Sequence, residues 1–155
     1  MDICIIPCGK KKIWDVEPQT GAVKASEAYI GTLHRKCQAY ADLFTDSYRI
    51  LSARHGFLHP DDLLFTNYDE TFGSRSMSVA SESLSHQFSQ LLPEKRIILL
   101  TGKKYEEKLK PLLQRETVLR PLSGARGIGD ILHLLQEAVD ARIPLHRERW
   151  ETDAG

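Results

Sequence analysis

Apolar runs of strand length alternate with segments of helical periodicity along the chain. The first run, residues 2–7, is almost continuously apolar, which is typical of a strand buried on both faces of a sheet. Three further runs predict strands at 48–53, 96–101 and 117–120. Apolar positions repeating at helical spacing predict helices at 26–44, 78–92, 103–114 and 128–141.

Strands that alternate with helices pair in parallel and carry helices on both faces of the sheet. We therefore expect one three-layer α/β domain over residues 1–143, with a short parallel sheet of about four strands flanked by helices. The charged residues 144–155 are expected to form a frayed tail. Two polar segments, 9–24 and 54–76, are predicted to be loops, and such long loops are uncommon unless they have a function.

The composition fits a globular protein. At 155 residues and 41% hydrophobic content, the chain is long enough to bury a core without metal or disulfide staples. Three cysteines, an odd number, are typical of reduced thiols in the cytosol. The sequence has neither a signal-peptide pattern nor the ~18 consecutive apolar residues of a membrane span. We expect a cytoplasmic protein that needs no membrane, metal or organic cofactor.

The formal net charge is zero, so the total lacks the basic excess typical of nucleic-acid binders. Lysines and arginines nevertheless follow three of the predicted strands. If those strands are parallel neighbours, their cations gather at one edge of the sheet and form a positive cleft. The alternative is that they are ordinary solvated loop charges. The cations concerned are Lys10, Lys11, Lys12, Lys103, Lys104, Arg120 and Arg126.

The first polar cluster directly follows the first strand and reads Cys8-Gly9-Lys10-Lys11-Lys12. Glycine allows a tight turn, and the three lysines are candidates for contact with phosphate. The glycine spacing and the Ser or Thr of a Walker phosphate loop are missing. Cys8 is either a nucleophile or a small buried residue at the strand end. The cysteines do not have the ligand spacing of a zinc site, so no metal site is expected.

The second cluster, residues 51–72, is the densest polar segment of the chain. Asp61 or Asp69 is its candidate catalytic carboxylate, and His55 is a candidate acid or base. Residues of this cluster also have purely structural interpretations. Asp61 could be a turn or helix cap, His55 a rim residue, and Tyr68 a loop anchor. The candidate substrate contacts here are Ser52, Arg54 and Tyr68, joined by Tyr29 from the preceding helix.

The third cluster is the loop 120–129 after the last predicted strand. Leu122 lies in a Pro-Leu-Ser-Gly turn. A large apolar residue in such a loop can act on DNA as a wedge between base steps. The alternative is that Leu122 packs into the core. The candidate substrate contacts in this loop are Arg120, Leu122, Ser123 and Arg126.

A set of motifs spans residues 5 to 72 and covers nearly half of the chain. Its members are Cys8-Gly9-Lys10-Lys11-Lys12, Ala28-Tyr29-Ile30-Gly31, Leu51 to Leu58, Pro60-Asp61 and Tyr68-Asp69. The set resembles a family of small bacterial and phage proteins of unassigned function. Their hallmarks are a Cys-x-Lys-Lys-Lys start, an Ala-x-x-Tyr-x-Gly helix, and a Leu-Ser-Ala-x-x-Gly-Leu-like turn that leads to Pro-Asp and Tyr-Asp. This resemblance implies little about mechanism.

A second, looser set of motifs spans residues 96–136 and reads Leu99-Leu100-Thr101-Gly102, Pro121-Leu122-Ser123 and Arg126-Gly127-Ile128-Gly129. It resembles the C-terminal half of the uracil-DNA glycosylase superfamily. There, a Leu-Leu-Trp-Gly strand end precedes a helix, and a His-Pro-Ser-Pro-Leu-Ser loop leads to Arg-Gly-Phe-x-Gly. The resemblance implies a uracil-DNA-glycosylase-like fold.

Two departures from that superfamily concern its catalytic residues. Arg120 stands where the superfamily has its His, and residues 8–12 replace its Gln-Asp-Pro-Tyr-His motif, including the water-positioning Asp. A relative would therefore take its carboxylate from elsewhere, and Asp61 and Asp69 are the candidates.

The second resemblance implies an enzyme that hydrolyses the N-glycosidic bond of a base in DNA, modified and not plain uracil. It also implies a role in defence against phages with modified DNA. The reaction needs a carboxylate for the cationic sugar and donors for the departing base. The donor candidates are His55, Arg54 and Arg120, and a flipped base would stack on Tyr68, Phe72 or Tyr29.

The expected partner is DNA, either a duplex with a flipped base or a single strand. Two alternatives stay open from the sequence. One is a glycohydrolase or transferase that acts on a free nucleotide or a tRNA base. The other is a nucleic-acid-binding module without catalytic activity.

Overall fold

A mixed five-stranded sheet forms the centre of the protein in a computed structural model that describes residues 2–68, 80–91, 96–113 and 117–146. The strands in chain order are β1 (Asp2–Pro7), β2 (Val23–Lys24), β3 (Ser47–Ser52), β4 (Gly56–Leu58), β5 (Leu63–Leu64), β6 (Arg96–Leu99) and β7 (Val118–Leu119). The helices are α1 (Ile13–Val16), α2 (Ala25–Ala28), α3 (Thr32–Phe44), α4 (Ser81–Ser89), α5 (Lys103–Leu109) and α6 (Ile128–Ala141). The sheet has the order β4-β3-β1-β6-β7, and β2 pairs with β5 in a separate two-stranded sheet.

The central strand β1 is buried on both faces, as its continuous apolar sequence predicts. On one face, Cys4 and Ile6 pack in a cluster with residues of α3 and α6. On the other face, Ile3 and Ile5 pack with residues of α4 and α5. Burial of each isoleucine stabilises the fold by about 1.5–3 kcal/mol relative to an exposed side chain. The two cores confirm the three-layer α/β fold.

The strands β3, β1, β6 and β7 run parallel, and β1 pairs with both β3 and β6. The chain leaves β1 for β3 on one side and later reaches β6 on the other side, so the strand order reverses at the end of β1. We call the side of the sheet where these four strands end the carboxyl edge. Ligands of open α/β sheets bind at such a reversal. The cationic loops that follow β1, β6 and β7 therefore share one edge, as the sequence predicts.

The sheet differs from the expected one in its fifth strand. The segment 54–76 is predicted to be a loop, but its described part contains β4 and β5. Gly56 has a φ of 77°, which lets the chain turn back and pair β4 antiparallel with β3. The Gln87 side chain then accepts from the N–H of Phe57 (2.8 Å) and donates to the carbonyl of His55 (3.0 Å). The expected parallel sheet of about four strands is thus a mixed sheet of five.

The predicted helix 26–44 is divided into α2 and α3. Between them, the backbone of Tyr29 is extended and forms an antiparallel bridge with Lys12. Backbone groups at residues 29 and 30, which a continuous helix would use for its own hydrogen bonds, therefore bond to the loop after β1. The break directs Tyr29 into the interior, where it is almost fully buried.

At the opposite edge of the sheet, where β1 begins, Asp2 links the sheet to the C-terminal segment. Arg96 donates to both carboxylate oxygens of Asp2 at 2.8 Å, and Nε2 of His146 lies 3.7 Å from one of them. His146 is buried, and its Nδ1 lies 2.7 Å from the Tyr40 hydroxyl. The segment expected to fray therefore docks here up to His146, and the rest of 144–155 lies outside the described residues.

Replacing Asp2 by Asn is expected to lower the free energy of unfolding by about 1–3 kcal/mol at neutral pH, because Arg96 loses its charged partner. The hydrogen bonds from Arg96 lower the pKa of Asp2 below its ordinary value of 3.8. A carboxyl whose pKa is lowered in the folded state contributes its full stabilisation of the fold above pH 3.8. That contribution is lost as the pH falls through the folded-state pKa. Urea unfolding at a series of pH values should therefore show that the free energies of unfolding of the wild type and of Asp2→Asn become equal in acid. A difference that stays constant into strong acid would contradict this assignment.

Candidate functional site

A cluster of buried hydroxyl groups lies at the carboxyl end of β3. Its centre is Tyr68, whose hydroxyl bonds the hydroxyls of Ser52 (2.8 Å) and Tyr29. Tyr29 is 1% exposed, and the other two side chains are also buried. Burial raises the pKa of Tyr29 and of Tyr68 above the ordinary tyrosine value, so both hydroxyls stay protonated. Three predicted substrate contacts thus lie together, but as an internal network.

This burial bears on the expected stacking of a base on Tyr29, Tyr68 or Phe72. Neither tyrosine ring offers an exposed face, since both side chains are enclosed by the fold. Phe72 lies outside the described residues.

Lys12 is an internal residue, 3% exposed, and it holds the hydroxyl cluster in place. Its ammonium donates to the carbonyl oxygens of Lys10 and Tyr68, both at 2.9 Å, and lies 4.2 Å from the centroid of the Tyr68 ring. Asp15 accepts the backbone N–H of Lys12 (2.8 Å), which fixes the start of α1. The expected contact of Lys12 with phosphate is therefore wrong for this conformation, whereas Lys10 and Lys11 are exposed.

The turn after β3 is organised by the Ser52 hydroxyl. It accepts the backbone N–H groups of Arg54 (3.2 Å) and His55 (3.1 Å). The His55 ring meets the Tyr68 ring edge-on, with 5.2 Å between centroids, and is half-buried at the rim. Arg54 is exposed beside it.

The carboxyl end of β1 carries Cys8 and Gly9. Cys8 is buried, with its Sγ 3.5 Å from the Tyr105 hydroxyl, and the N–H of Gly9 donates to the same hydroxyl at 3.5 Å. Gly9 has a φ of 80°, a conformation that favours glycine. Burial raises the pKa of Tyr105, so this hydroxyl is also protonated.

His34 of α3 also lies at the end of β1. Its Nδ1 is 2.9 Å from the carbonyl oxygen of Pro7, and its ring centroid is 5.3 Å from that of Tyr29. Its Nε2 is buried and has no hydrogen-bond partner among the described residues. Burial lowers the pKa of His34, and the charge of Arg35 lowers it further, so the ring is neutral at neutral pH.

A pocket of about 390 Å³ opens between the ends of β6 and β7. The loops after these two strands meet there, as expected from their parallel pairing. Glu106 of α5 lies in the pocket and forms an ion pair with Arg120. Leu122 is half-buried and also packs against the core, which agrees with its structural interpretation. The pocket is lined by Leu33, Leu99, Leu100, Thr101, Gly102, Lys103, Glu106, Arg120, Leu122, Ser123, Ala125 and Ile131.

Asp61 lies apart from the hydroxyl cluster. Its carboxylate is 70% exposed and lies 3.8 Å from the ammonium of Lys24 and 3.9 Å from His59. Because β4 runs back along β3, Leu58 already pairs with Ile50, two residues before the end of β3. Asp61 comes three residues further along the chain, towards the start of β3. The other carboxylate candidate, Asp69, lies outside the described residues.

Arg126 is exposed, and its backbone N–H donates to Asp130 (3.0 Å) near the start of α6. Its side chain is at the carboxyl edge but does not line the pocket. Within the described residues, no group of His, Cys, Asp and Glu side chains is arranged to hold a metal ion.

Four residues of this region are missing from the sequence-based candidates: His34, Thr101, Tyr105 and Glu106. Tyr105 and Glu106 follow a strand end and Gly102, so their place in the chain is a usable signal. His34 lies three residues before Cys37 on the apolar stripe of its helix, and a polar residue on such a stripe is a weaker signal.

Sequence comparison identifies the family. Residues 3–137 match the Family of unknown function (DUF6884). The chain belongs to this family. It is also 43% identical over 147 residues to the uncharacterized protein YfjM of Bacillus subtilis (strain 168), a match that spans 92% of this chain and 98% of that protein. The expected membership of a family of unassigned function is confirmed at this level, and neither match supports the resemblance to uracil-DNA glycosylases.

The length and hydropathy of the helices decide whether any of them could cross a membrane. In the part that the structure describes, none combines the length and the hydropathy that crossing a bilayer requires.

Lys12→Met is expected to lower the free energy of unfolding by about 1–3 kcal/mol, because two carbonyl oxygens lose their donor inside the protein. Lys11→Met is the matched control, since the neighbouring Lys11 is exposed, and it should change stability by no more than about 0.5 kcal/mol. Chemical denaturation of both variants measures the difference. Equal stability of the two variants would show that Lys12 does not anchor the hydroxyl cluster.

Proposed function

We propose that this DUF6884 protein binds DNA and hydrolyses the N-glycosidic bond of a modified base held in the pocket between β6 and β7. The observation that carries the proposal is the Glu106–Arg120 ion pair in that pocket. It combines a carboxylate with a cation at the edge of the sheet where ligands of α/β proteins bind.

The lining of the pocket suits a heterocyclic base. A base has two apolar faces and a polar edge. The aliphatic side chains of Leu33, Leu122 and Ile131 would contact the faces, while Thr101 and Ser123 would meet the edge. The volume of about 390 Å³ lies in the range of small-molecule sites, about 300–1,000 Å³. In this proposal, aliphatic side chains contact the base, because Tyr29 and Tyr68 are buried.

Hydrolysis breaks the bond between C1′ of the sugar and a nitrogen of the base. The bonding electron pair leaves with the base, and the oxygen of a water molecule adds to C1′. One proton of that water goes to the released base, and the other stays on the new hydroxyl. A carboxylate stabilises the positive sugar and orients the water, and a cation stabilises the negative base. Glu106 takes the first role in this proposal, and Arg120 the second.

The surroundings of the pocket support a polymeric substrate. Exposed cations follow β1, β3, β6 and β7 at the carboxyl edge, where phosphates of a bound strand would contact them. DNA binding should accordingly weaken as the salt concentration rises. The motifs at 99–102 and 121–129 that resemble uracil-DNA glycosylases border the same pocket, and the resemblance also suggests a role in defence against phages. The exposed cations are Lys10, Lys11, Arg54, Lys103, Lys104 and Arg126.

A nucleic-acid-binding module without catalysis is the second candidate. The ion pair that carries the main proposal also favours this second candidate, because Arg120 neutralises Glu106, the only carboxylate among the described residues that line the pocket. The neutral net charge favours a third, a glycohydrolase or transferase acting on free nucleotides or tRNA bases.

Glu106→Gln is expected to reduce base release by roughly 10²–10⁴-fold, because the amide cannot stabilise the cationic sugar, while DNA affinity is kept. The measurement is mass spectrometry of free base together with a count of abasic sites. The substrates are DNA with normal bases and phage DNA with modified bases. Glu107→Gln is the matched control, since Glu107 is the exposed neighbour on the same helix, and it should release base like the wild type.

The remaining carboxylate candidates enter the same assay as Asp61→Asn and Asp69→Asn. Loss of release in either variant, with Glu106→Gln active, would move the catalytic role to that aspartate. Salt-sensitive DNA binding without any base release would favour the binding module. Absence of both DNA binding and base release would favour a glycohydrolase or transferase that acts on a free nucleotide or a tRNA base.

A further inference from the structure

His34 takes a position that a strand would otherwise occupy. The carbonyl of Ile5 in β1 accepts the N–H of Leu100 (3.0 Å), so it points towards β6. Carbonyls two residues apart on a strand point to the same side, and therefore the carbonyl of Pro7 also points towards β6. Beyond Leu99, however, β6 has ended, and Nδ1 of His34 bonds the Pro7 oxygen instead. The His34 ring thus lies where β1 and β6 part.

The bond to Pro7 also fixes the tautomer of His34. A carbonyl oxygen only accepts, so Nδ1 must carry the proton and donate it. Nε2 is then a bare acceptor, and among the described residues nothing donates to it. The loop after β1 passes close to this side chain: a Cβ built on Gly9 would lie 4.0 Å from the Cβ of His34.

Thr101 carries a second buried polar atom without a hydrogen-bond partner, on the β6 side of the point where β1 and β6 part. Continuing the register in which Ile5 pairs with Leu99, Thr101 lies opposite Pro7. Its Oγ1 is buried and has no partner among the described residues. Thr101 lines the pocket between β6 and β7, and so does Leu33, the residue before His34.

Buried polar atoms without partners are rare, and each one calls for a physical reason. Three side-chain atoms of this kind occur in the described part of the chain. The third, Oγ of Ser47, lies at the start of β3, far from the pocket. The other two flank the point where the strand order reverses, which is where a ligand would supply the missing partners.

We propose that His34 Nε2 and Thr101 Oγ1 form a polar subsite that binds the hydrogen-bonding edge of a nucleobase, with His34 accepting a ring or exocyclic N–H. This inference rests on the proposed function, since it extends the base pocket inwards, and it names the base edge that is read. Thr101 both donates and accepts, so it suits a carbonyl or an amino group beside that N–H. Because both atoms are closed to water, the ligand must displace the side chains that cover them.

Nuclear magnetic resonance of ¹⁵N-histidine-labelled full-length protein tests the subsite directly. The probes are thymidine, deoxycytidine, deoxyguanosine and deoxyadenosine at millimolar concentration. Without a nucleoside, the His34 spectrum should show a protonated Nδ1 and an unprotonated Nε2. At least one nucleoside should shift the Nε2 resonance, while the exposed His133 stays unchanged. A water molecule buried beside His34 would leave Nε2 unchanged by every nucleoside, and that result overturns the proposal.

Two variants separate the subsite from a structural role. In His34→Asn, the amide nitrogen replaces Nδ1 as the donor to Pro7 while Nε2 is removed. Thr101→Val removes a hydroxyl without changing the shape of the side chain. Both should weaken nucleoside binding roughly 5- to 30-fold, the loss of one hydrogen bond. His34→Asn should lower the melting temperature moderately, because the smaller side chain leaves a cavity beside Tyr29, whereas Thr101→Val should keep or raise it. Ser47→Ala is the matched control and should bind like the wild type.

The outcomes distinguish this inference from the proposed function. If nucleosides shift Nε2 but no base is ever released from DNA, the subsite stands and the glycosylase fails. If base is released at wild-type rates by both His34→Asn and Thr101→Val, the glycosylase stands and the subsite fails.

Discussion

The hydrogen bonding of β1 to two strands on opposite sides is the constraint on which the other features depend. β1 lies between β3 and β6, and its side chains alternate between two faces that helices cover, so they belong to both cores. The same arrangement makes the strand order reverse where β1 ends at Pro7. The residues that follow turn away from the sheet there, and in this turn Gly9 has a left-handed backbone conformation. The carbonyl of Pro7 then has no strand partner among the described residues, and His34 donates a hydrogen bond to it.

The two edges of the sheet carry different kinds of polar chemistry. At the edge where β1 begins, the charges of Asp2 and Arg96 are paired at hydrogen-bonding distance, and this pairing serves stability. The carboxyl edge carries protonated tyrosine hydroxyls, a neutral histidine and one ion pair at a pocket. Of the three buried side-chain atoms that lack partners within the described chain, two lie at this edge, on His34 and Thr101, and one lies at the opposite edge, on Ser47.

The sequence predicts the strands and helices best where burial alone decides them. The bounds of β1 and α6 agree with the prediction, since a continuous apolar run and a sustained helical stripe depend little on tertiary contacts. The prediction fails where a distant contact competes with local preference. Tyr29 interrupts its helix because the loop after β1 pairs with it, and Lys10 to Lys12 look alike in sequence although only Lys12 turns inwards. Asp61 is separated from Ser52 by a reversal at Gly56 that the composition of the loop does not reveal. For the candidate site, the sequence therefore identifies the edge, most of the loops and three side chains that line the pocket, Arg120, Leu122 and Ser123, but it misses Thr101 and Glu106.

The proposed function locates nucleic-acid binding at the carboxyl edge of the sheet. Its most direct test is the titration of ¹⁵N-labelled protein with single-stranded and duplex oligonucleotides, monitored through the backbone amide resonances. If nucleic acid binds at this edge, the amides of Gly9, Thr101 and Ser123 shift, while those of Asp2 and Ser47 at the opposite edge do not. Shifts confined to the opposite edge, or no shift at Gly9 and Thr101 under conditions of binding, would contradict it.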